Sequence, residues 1–285
     1  MTSGQIVHFG VNLSMALMVF CVALKAGAAK ARLGLTDPGL LSRSLLAMYV
    51  VMPLIVVAIA YFLELNHSLK AALVLLALSP VPPVLPKKEI EAGGSTDYVL
   101  GLLAVASLVA IVVVPAGIAL IGPIFGQHVM IPISVTTQVV ATSVLLPLVA
   151  GFVIARLAPQ FAARVAGPLG IAATVLLLAL FLPILYVARH AVFAQIGNFT
   201  ILAIAIFTIV GLAVGHMLGG PVEGNRSTLA LATATRHPGV ALAILHVVSP
   251  KDPGIGPVVL LYLLVGGIVS LPYVVWRKRV AQPKV

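Results

Sequence analysis

Charge is what this sequence has least of. Only 8% of its 285 residues are Asp, Glu, Lys or Arg, against about 25% in a soluble domain of this size. That shortage excludes an ordinary water-facing surface. Cysteine is nearly absent too. The lone Cys21 sits inside an apolar run, which excludes disulfides and cysteine metal sites. The seven histidines are dispersed, with no two at metal-ligand spacing. There is no Ser-His-Asp pattern, no HExxH, no glycine-rich phosphate loop and no acidic pair at membrane depth. The chain therefore reads as no enzyme, with no metal and no cofactor. Its first residues, MTSGQIVHFG, lack a basic leader and a cleavage site, so no signal peptide is expected.

What is present is hydrocarbon. Apolar residues make up 61% of the chain and mean hydropathy is +1.19. About 20 apolar residues cross a bilayer. On that measure nine segments stand out, at 6–24, 45–63, 71–85, 98–121, 133–154, 169–188, 196–214, 229–248 and 255–276. The fold class expected is an all-α polytopic membrane protein, with residues 1–285 as one transmembrane unit. Pro53, Pro147 and Pro183 fall inside segments and predict local kinks.

The net charge of +10 invites a nucleic-acid reading, but its distribution speaks against one. With nine crossings, Lys70, Arg189 and Lys251 lie on one side and thirteen other Lys and Arg, Lys30, Arg32 and Lys284 among them, on the other. Such asymmetry places the basic side in the cytoplasm. The expected location is the cell (inner) membrane, with the N-terminus outside and the C-terminus inside. The basicity sets orientation, and no nucleic-acid partner is expected.

Two segments are abnormal. The third, AALVLLALSPVPPVLPKK, is short and carries Pro80, Pro82, Pro83 and Pro86. No continuous helix survives that density, because each ring removes a donor and clashes with the preceding turn. The eighth, TLALATATRHPGVALAILHVV, is predicted to break at Pro238-Gly239, leaving half-helices over 229–235 and 240–248. Five crossings apart, the two run in opposite directions. This is the arrangement of inverted repeats whose discontinuous helices meet near the midplane. The bland alternative is a pair of ordinary packing kinks. Unwound backbone at membrane depth, however, survives only when buried in protein or lining a wet cavity.

The eighth segment also contains Arg236. A charge at mid-depth costs roughly 2.5–3.5 kcal/mol on insertion scales and marks a functional site by default. One reading makes it a fixed cation that clamps a carboxylate or sulfonate, aided by the positive end of the following half-helix. The other makes it half of a buried ion pair, with Glu89 or Glu91 as the acid.

Beyond these features the chain resembles the bile acid:sodium symporter family along nearly its whole length. SPVPPVLPKKEIEAGGSTDYVLGLLAVASLVAIVVVP matches the family's first crossing helix, its glycine-containing loop and the next helix. STLALATATRHPGVALAIL matches the second crossing helix, with Gly239 in register, and GVNLSMALMVFCVALK its first conserved helix. Ten-helix members carry one more helix in front. The resemblance implies a core domain, about 44–122 and 196–277, and a panel domain, about 5–26 and 131–190, that rock against each other. It also implies where sodium ligands should lie, and this sequence departs there. The glutamate position falls on Ala232 and the glutamine on Met48. The serine-asparagine pair falls on Leu85 and Pro86, and the hydroxyls on Val99 and Leu103. Arg236 and His237 occupy the glutamine-asparagine positions after the second break. A hard cation needs several oxygens, so both sodium sites read as lost.

The function expected is secondary active transport of a small organic anion by alternating access, with the lipid bilayer as surroundings. The substrate-binding candidates are Arg236, His237, Thr235, Thr233, Pro86 and Pro83, while Lys87, Glu89 and Glu91 form an ion pair or a vestibule. Their plainer roles are a helix cap for His237, back-bonding for the threonines, cavity shape for the prolines and a solvated helix end for the charged group. His246 shows no evident partner, and Asn12 and Ser14 read as helix packing or as facing the core. Coupling to protons, or no coupling, is preferred over coupling to sodium. The alternatives are a sodium-coupled bile acid-type symporter using backbone ligands, and an efflux permease of the same superfamily.

Overall fold

The computed structural model describes residues 3–28, 37–125, 131–197, 199–248 and 252–281. Lys30, Arg32, Lys251, Lys284 and the side chain of His246 lie outside the described residues. Among those described there are thirteen α-helices and no strand. Seven helical stretches are long and apolar enough to cross a membrane. They are α1 (Ser3–Ala28), the bent pair α2 (Pro38–Leu46) and α3 (Met52–Phe62), and α6 (Thr96–Ile121). The bent pair α7 (Ile133–Val140) and α8 (Leu146–Leu157), α9 (Pro159–Phe193), α10 (Thr200–Leu218) and α13 (Ile255–Ala281) complete them. Between them lie two interrupted stretches, α4 (His67–Leu78) with α5 (Leu85–Glu91), and α11 (Glu223–Ala234) with α12 (Pro238–Val248).

Local chemistry sets the ends. Asp37 caps α2 by accepting from the Leu40 N–H at 2.8 Å, ahead of Pro38 at the first helical position. Asn66 caps α4 in the same way, accepting from Leu69. These side-chain oxygens satisfy donors that the first turn leaves open.

Both predicted kinks at Pro53 and Pro147 take one form, a single π-helical turn just before the proline. The turns run over Ala47–Val51 and Ala141–Leu145, and the Met52 and Leu146 N–H groups reach back five residues to Ala47 and Ala141. Proline offers no N–H and its ring crowds the preceding turn, so the helix widens by one residue. Pro183 lies inside the unbroken α9.

The outside is apolar. Tyr61, Leu157 and Met217 are each more than four-fifths exposed, and α9 buries little more than Ala162, Ala166, Ala173 and Val192. In water such a surface would aggregate; in lipid it is the expected one. The interior packs Met48, Met52, Leu76, Leu100, Phe207 and Tyr262 into one continuous cluster. α1 lies along α8 and α9. α11 lies on α10 along a stripe of Gly211, Gly215 and Gly219. A Cβ at Gly211 would come within 2.8 Å of the Ala234 Cα, and one at Gly219 within 2.5 Å of the Arg226 Cα. Small residues four apart bring two backbones together where lipid offers no hydrophobic drive.

Candidate functional site

The two interruptions meet, and they are built differently. α4 ends at Leu78, and residues 79–84 are irregular because Pro80, Pro82 and Pro83 cannot donate. α11 ends at Ala234, with Thr235 extended. Here the structure corrects the sequence reading: residues 235–237 form the break, whereas Pro238 and Gly239 open α12. Proline at a first helical position has no donor to waste and a φ already suited to the helix, and it pushes the residue before it out of the α region. The His237 N–H donates to the Pro80 carbonyl at 2.9 Å, tying break to break.

Arg236 stands at the centre, 0% exposed. Its Nη2 donates to the Met48 carbonyl at 2.8 Å and its Nη1 to the Ser79 carbonyl at 3.3 Å. Met48 lies in the first π-helical turn. In that register its acceptor would be served by residue 53, which is proline, so the kink frees the oxygen that Arg236 takes. Ser79 supplies the carbonyl just past the end of α4. The Arg236 backbone N–H donates to Tyr262 Oη at 2.9 Å, and that hydroxyl donates on to the Ala234 carbonyl at 2.8 Å. The guanidinium thus sits at the negative C-terminal end of α4 and on the kink between α2 and α3. Burying an unpaired charge costs several kcal/mol. Two charge-assisted bonds of about 1.5–3 kcal/mol each offset most of that.

Neither acid expected as its partner reaches Arg236. Glu91 pairs with Lys278 of α13 at 2.6 Å. Glu89 is 1% exposed, and its Oε1 has no hydrogen-bond partner. No ion pair to Arg236 forms among the described residues.

His237 is the N-cap of α12. Its Nδ1 accepts from the Gly239 N–H at 3.1 Å and from the Val240 N–H at 3.4 Å. Its Nε2 faces Ser143 Oγ at 3.3 Å, and that hydroxyl donates to the Val139 carbonyl at 2.6 Å. The network assigns a neutral ring with the proton on Nε2. The ring occupies the amide cluster where an anion was expected to dock. Gly239 is needed beside it, since a Cβ there would approach His237 Cε1 to 2.9 Å.

The remaining candidates separate. Thr233 is buried and back-bonds to the Leu229 carbonyl at 2.7 Å, and Thr228 does the same to Gly224. Thr235 is half-buried beside Arg236 in the second break, and Pro86 is buried in α5. Ser14 is buried and bonds within its own helix. Pro83, Lys87 and Glu91 instead line a cavity of about 390 Å³, together with Met18 and Lys25 of α1 and Thr174 of α9. Arg236, His237, Thr233, Thr235, Pro86 and Glu89 are not in its wall. Two lysines on a mostly apolar wall suit an amphipathic anion. The positions Ala232, Leu85, Val99 and Leu103 are buried hydrocarbon, and Met48 contributes only its backbone oxygen.

Sequence reasoning missed Tyr262, Ser143 and Lys25 as parts of the site. The glycine spacing on α10 was readable; a hydroxyl or lysine brought in from a distant helix leaves no local pattern. Compared with known proteins, residues 12–196, close to two thirds of the chain, match the family described as the Sodium Bile acid symporter family. The match ends before α10, so the second break lies outside it. No curated protein matches the chain.

Proposed function

The chain belongs to the sodium bile acid symporter family, and from that premise we propose that it carries a small organic anion across the cell membrane by alternating access. Nine crossings, seven continuous and two broken, form a core of about 44–122 and 196–277 and a panel of about 5–26 and 131–190. The N-terminus lies outside and the C-terminus in the cytoplasm, as the lysine and arginine asymmetry favours. The anion binds in the cavity between α1, α9 and the first break, held by Lys25 and Lys87 and shaped by Pro83. Arg236 is the fixed cation of the helix crossing. The break that carries Pro83 into the cavity wall also carries the Ser79 carbonyl bonded by Arg236, so rocking of the panel is felt at the crossing.

One observation carries this reading: a permanent cation already takes the Ser79 carbonyl at the end of α4 and the Met48 carbonyl freed by the kink before Pro53, beside the breaks where a transporter of broken helices would coordinate a metal ion. The positive charge is therefore built in, and protons rather than sodium couple the cycle. The test is uptake of a labelled steroid carboxylate and a short keto acid into proteoliposomes, under a sodium gradient and then a proton gradient. Uptake driven by protons and indifferent to sodium is expected. A strict need for sodium would sink the built-in cation and leave an ion held by other backbone oxygens.

A further inference from the structure

Glu89 plays no part in the site described so far, yet it is the most anomalous acid in the chain. It sits on α5, the short half-helix that follows the first break, and is 1% exposed. Its Oε1 has no hydrogen-bond partner and no cation pairs with it among the described residues. The charges on the surrounding elements are engaged elsewhere or face away. On α5 itself Lys87 and Lys88 are exposed, and Glu91 is taken by Lys278. From α6, Tyr98 lies within electrostatic reach, and its hydroxyl is bonded to Ser44 at 2.7 Å; Arg43 and Asp37 reach Tyr98 from the α2 side. Asp97 of α6 is half-buried and engaged in an interaction of its own. From α11, residues 227–234 carry no ionisable side chain, while Glu223 at its start bonds both Arg226 and Arg277. From α1, Lys25 and Cys21 face the cavity.

A carboxylate without a partner is not stable at such a position, so the group is held as the neutral acid. Water is nevertheless close. The Glu89 carbonyl accepts from the Gly94 N–H at 2.9 Å, and Glu91, Gly93 and Ser95 of that loop are exposed. A small shift of α5 against α11 would wet the carboxyl.

We propose that Glu89 is a proton-binding site that loads and releases a proton as α5 moves, supplying the coupling ion. The site exists whether or not the transport reading holds, and only the use of its proton in the cycle rests on that reading. A proton is gained on one side of the membrane and lost on the other, with no other chemistry involved.

The test uses full-length protein in liposomes and needs no known substrate. The chain has only seven acids, so its carboxyl infrared region is simple. Wild type is expected to show the carbonyl stretch of a protonated, weakly bonded carboxyl, and in D2O that band shifts. Glu89→Gln abolishes it and Glu91→Gln keeps it. Glu89→Gln mimics the neutral acid in shape, and the D2O shift in wild type requires no variant at all. A band that survives Glu89→Gln, or one that D2O never moves, overturns the proposal. In the uptake assay, Glu89→Gln is expected to abolish acceleration by a pH gradient while anion counterflow persists. Undiminished pH-driven uptake in that variant overturns it as well. Absence of any anion flux, with the infrared result intact, would count against the transport reading alone and leave the proton site standing.

Discussion

The two breaks cross at one point and solve opposite problems. The first, residues 79–84, is proline-rich and contributes acceptors: the Ser79 carbonyl to the Arg236 guanidinium and the Pro80 carbonyl to the His237 N–H. The second, residues 235–237, has no proline of its own and contributes donors: the guanidinium, the His237 N–H and the Arg236 N–H taken by Tyr262. Either break alone would leave buried backbone groups unsatisfied, which is costly. Together they close. Proline supplies the acceptor side cheaply by deleting donors, and an arginine then supplies several donors from one side chain. The pairing extends to a third element, because Pro53 frees the Met48 carbonyl that takes Nη2 of the guanidinium, while Arg236 Nε is left without a partner among the described residues.

The largest effect should follow removal of the donor side. Arg236→Ala leaves the Met48 and Ser79 carbonyls buried without partners and opens a void. Each buried acceptor left unsatisfied costs about 1–3 kcal/mol, and the void adds to that. A large fall in the thermal midpoint of the purified protein is expected, with loss of flux. Arg236→Lys keeps the charge but not the fork, and should fall between wild type and alanine. Equal stability of wild type and Arg236→Ala would break the complementarity of the two breaks outright, since it would mean that neither carbonyl needs its donor.

A smaller effect separates capping from substrate contact at His237. Its Nδ1 holds the first amides of α12, and losing such a cap costs about 0.5–2 kcal/mol. His237→Ala should lose that amount, while His237→Asn, whose amide oxygen also caps, should recover most of it. Stability and anion affinity should then move together across the pair. Should His237→Asn be stable yet lose anion affinity by an order of magnitude, the ring touches substrate and the capping role is incomplete.

Much of this arrangement was legible beforehand, and what was not had a physical reason. Four prolines in one short segment dictate a break, and a lone arginine in an apolar segment dictates that something must satisfy it. The location of the second break was misread by a few residues because Pro238-Gly239 was taken as a helix stop; proline opens helices as readily as it ends them. The alternative that paired Arg236 with Glu89 or Glu91 fails because a sequence displays carboxylates but hides carbonyls. Every residue has a carbonyl, and only the lack of a donor at Pro53 distinguishes that of Met48. The glycine stripe of α10 carries its own spacing and needed only to be read.

The anchors of the half-helices carry the comparison to its weakest effect. α5 is tied to α13 by Glu91 and Lys278, both 41% exposed, and such surface pairs contribute about 0–1 kcal/mol. α11 is tied to the same helix by Arg277, which is only 3% exposed and bonds Glu223 at 2.7 Å, Ser227 Oγ at 2.7 Å and the Glu223 carbonyl at 3.0 Å. The Arg277 hydrogen bond, above all, holds the Glu223 carboxyl below its ordinary value of 4.5, against an opposing desolvation. A carboxyl whose folded value is depressed contributes stability above its unfolded value and loses it as pH falls through both. The wild-type thermal midpoint should therefore decline on acidification from about pH 5 downward, and more steeply than that of Glu223→Gln, which never carries the charge. The two curves should converge in acid and separate modestly at neutral pH. Parallel curves throughout would show that Ser227 and the backbone hold Arg277 unaided, and that α11 is anchored by its glycine seat on α10 rather than by charge.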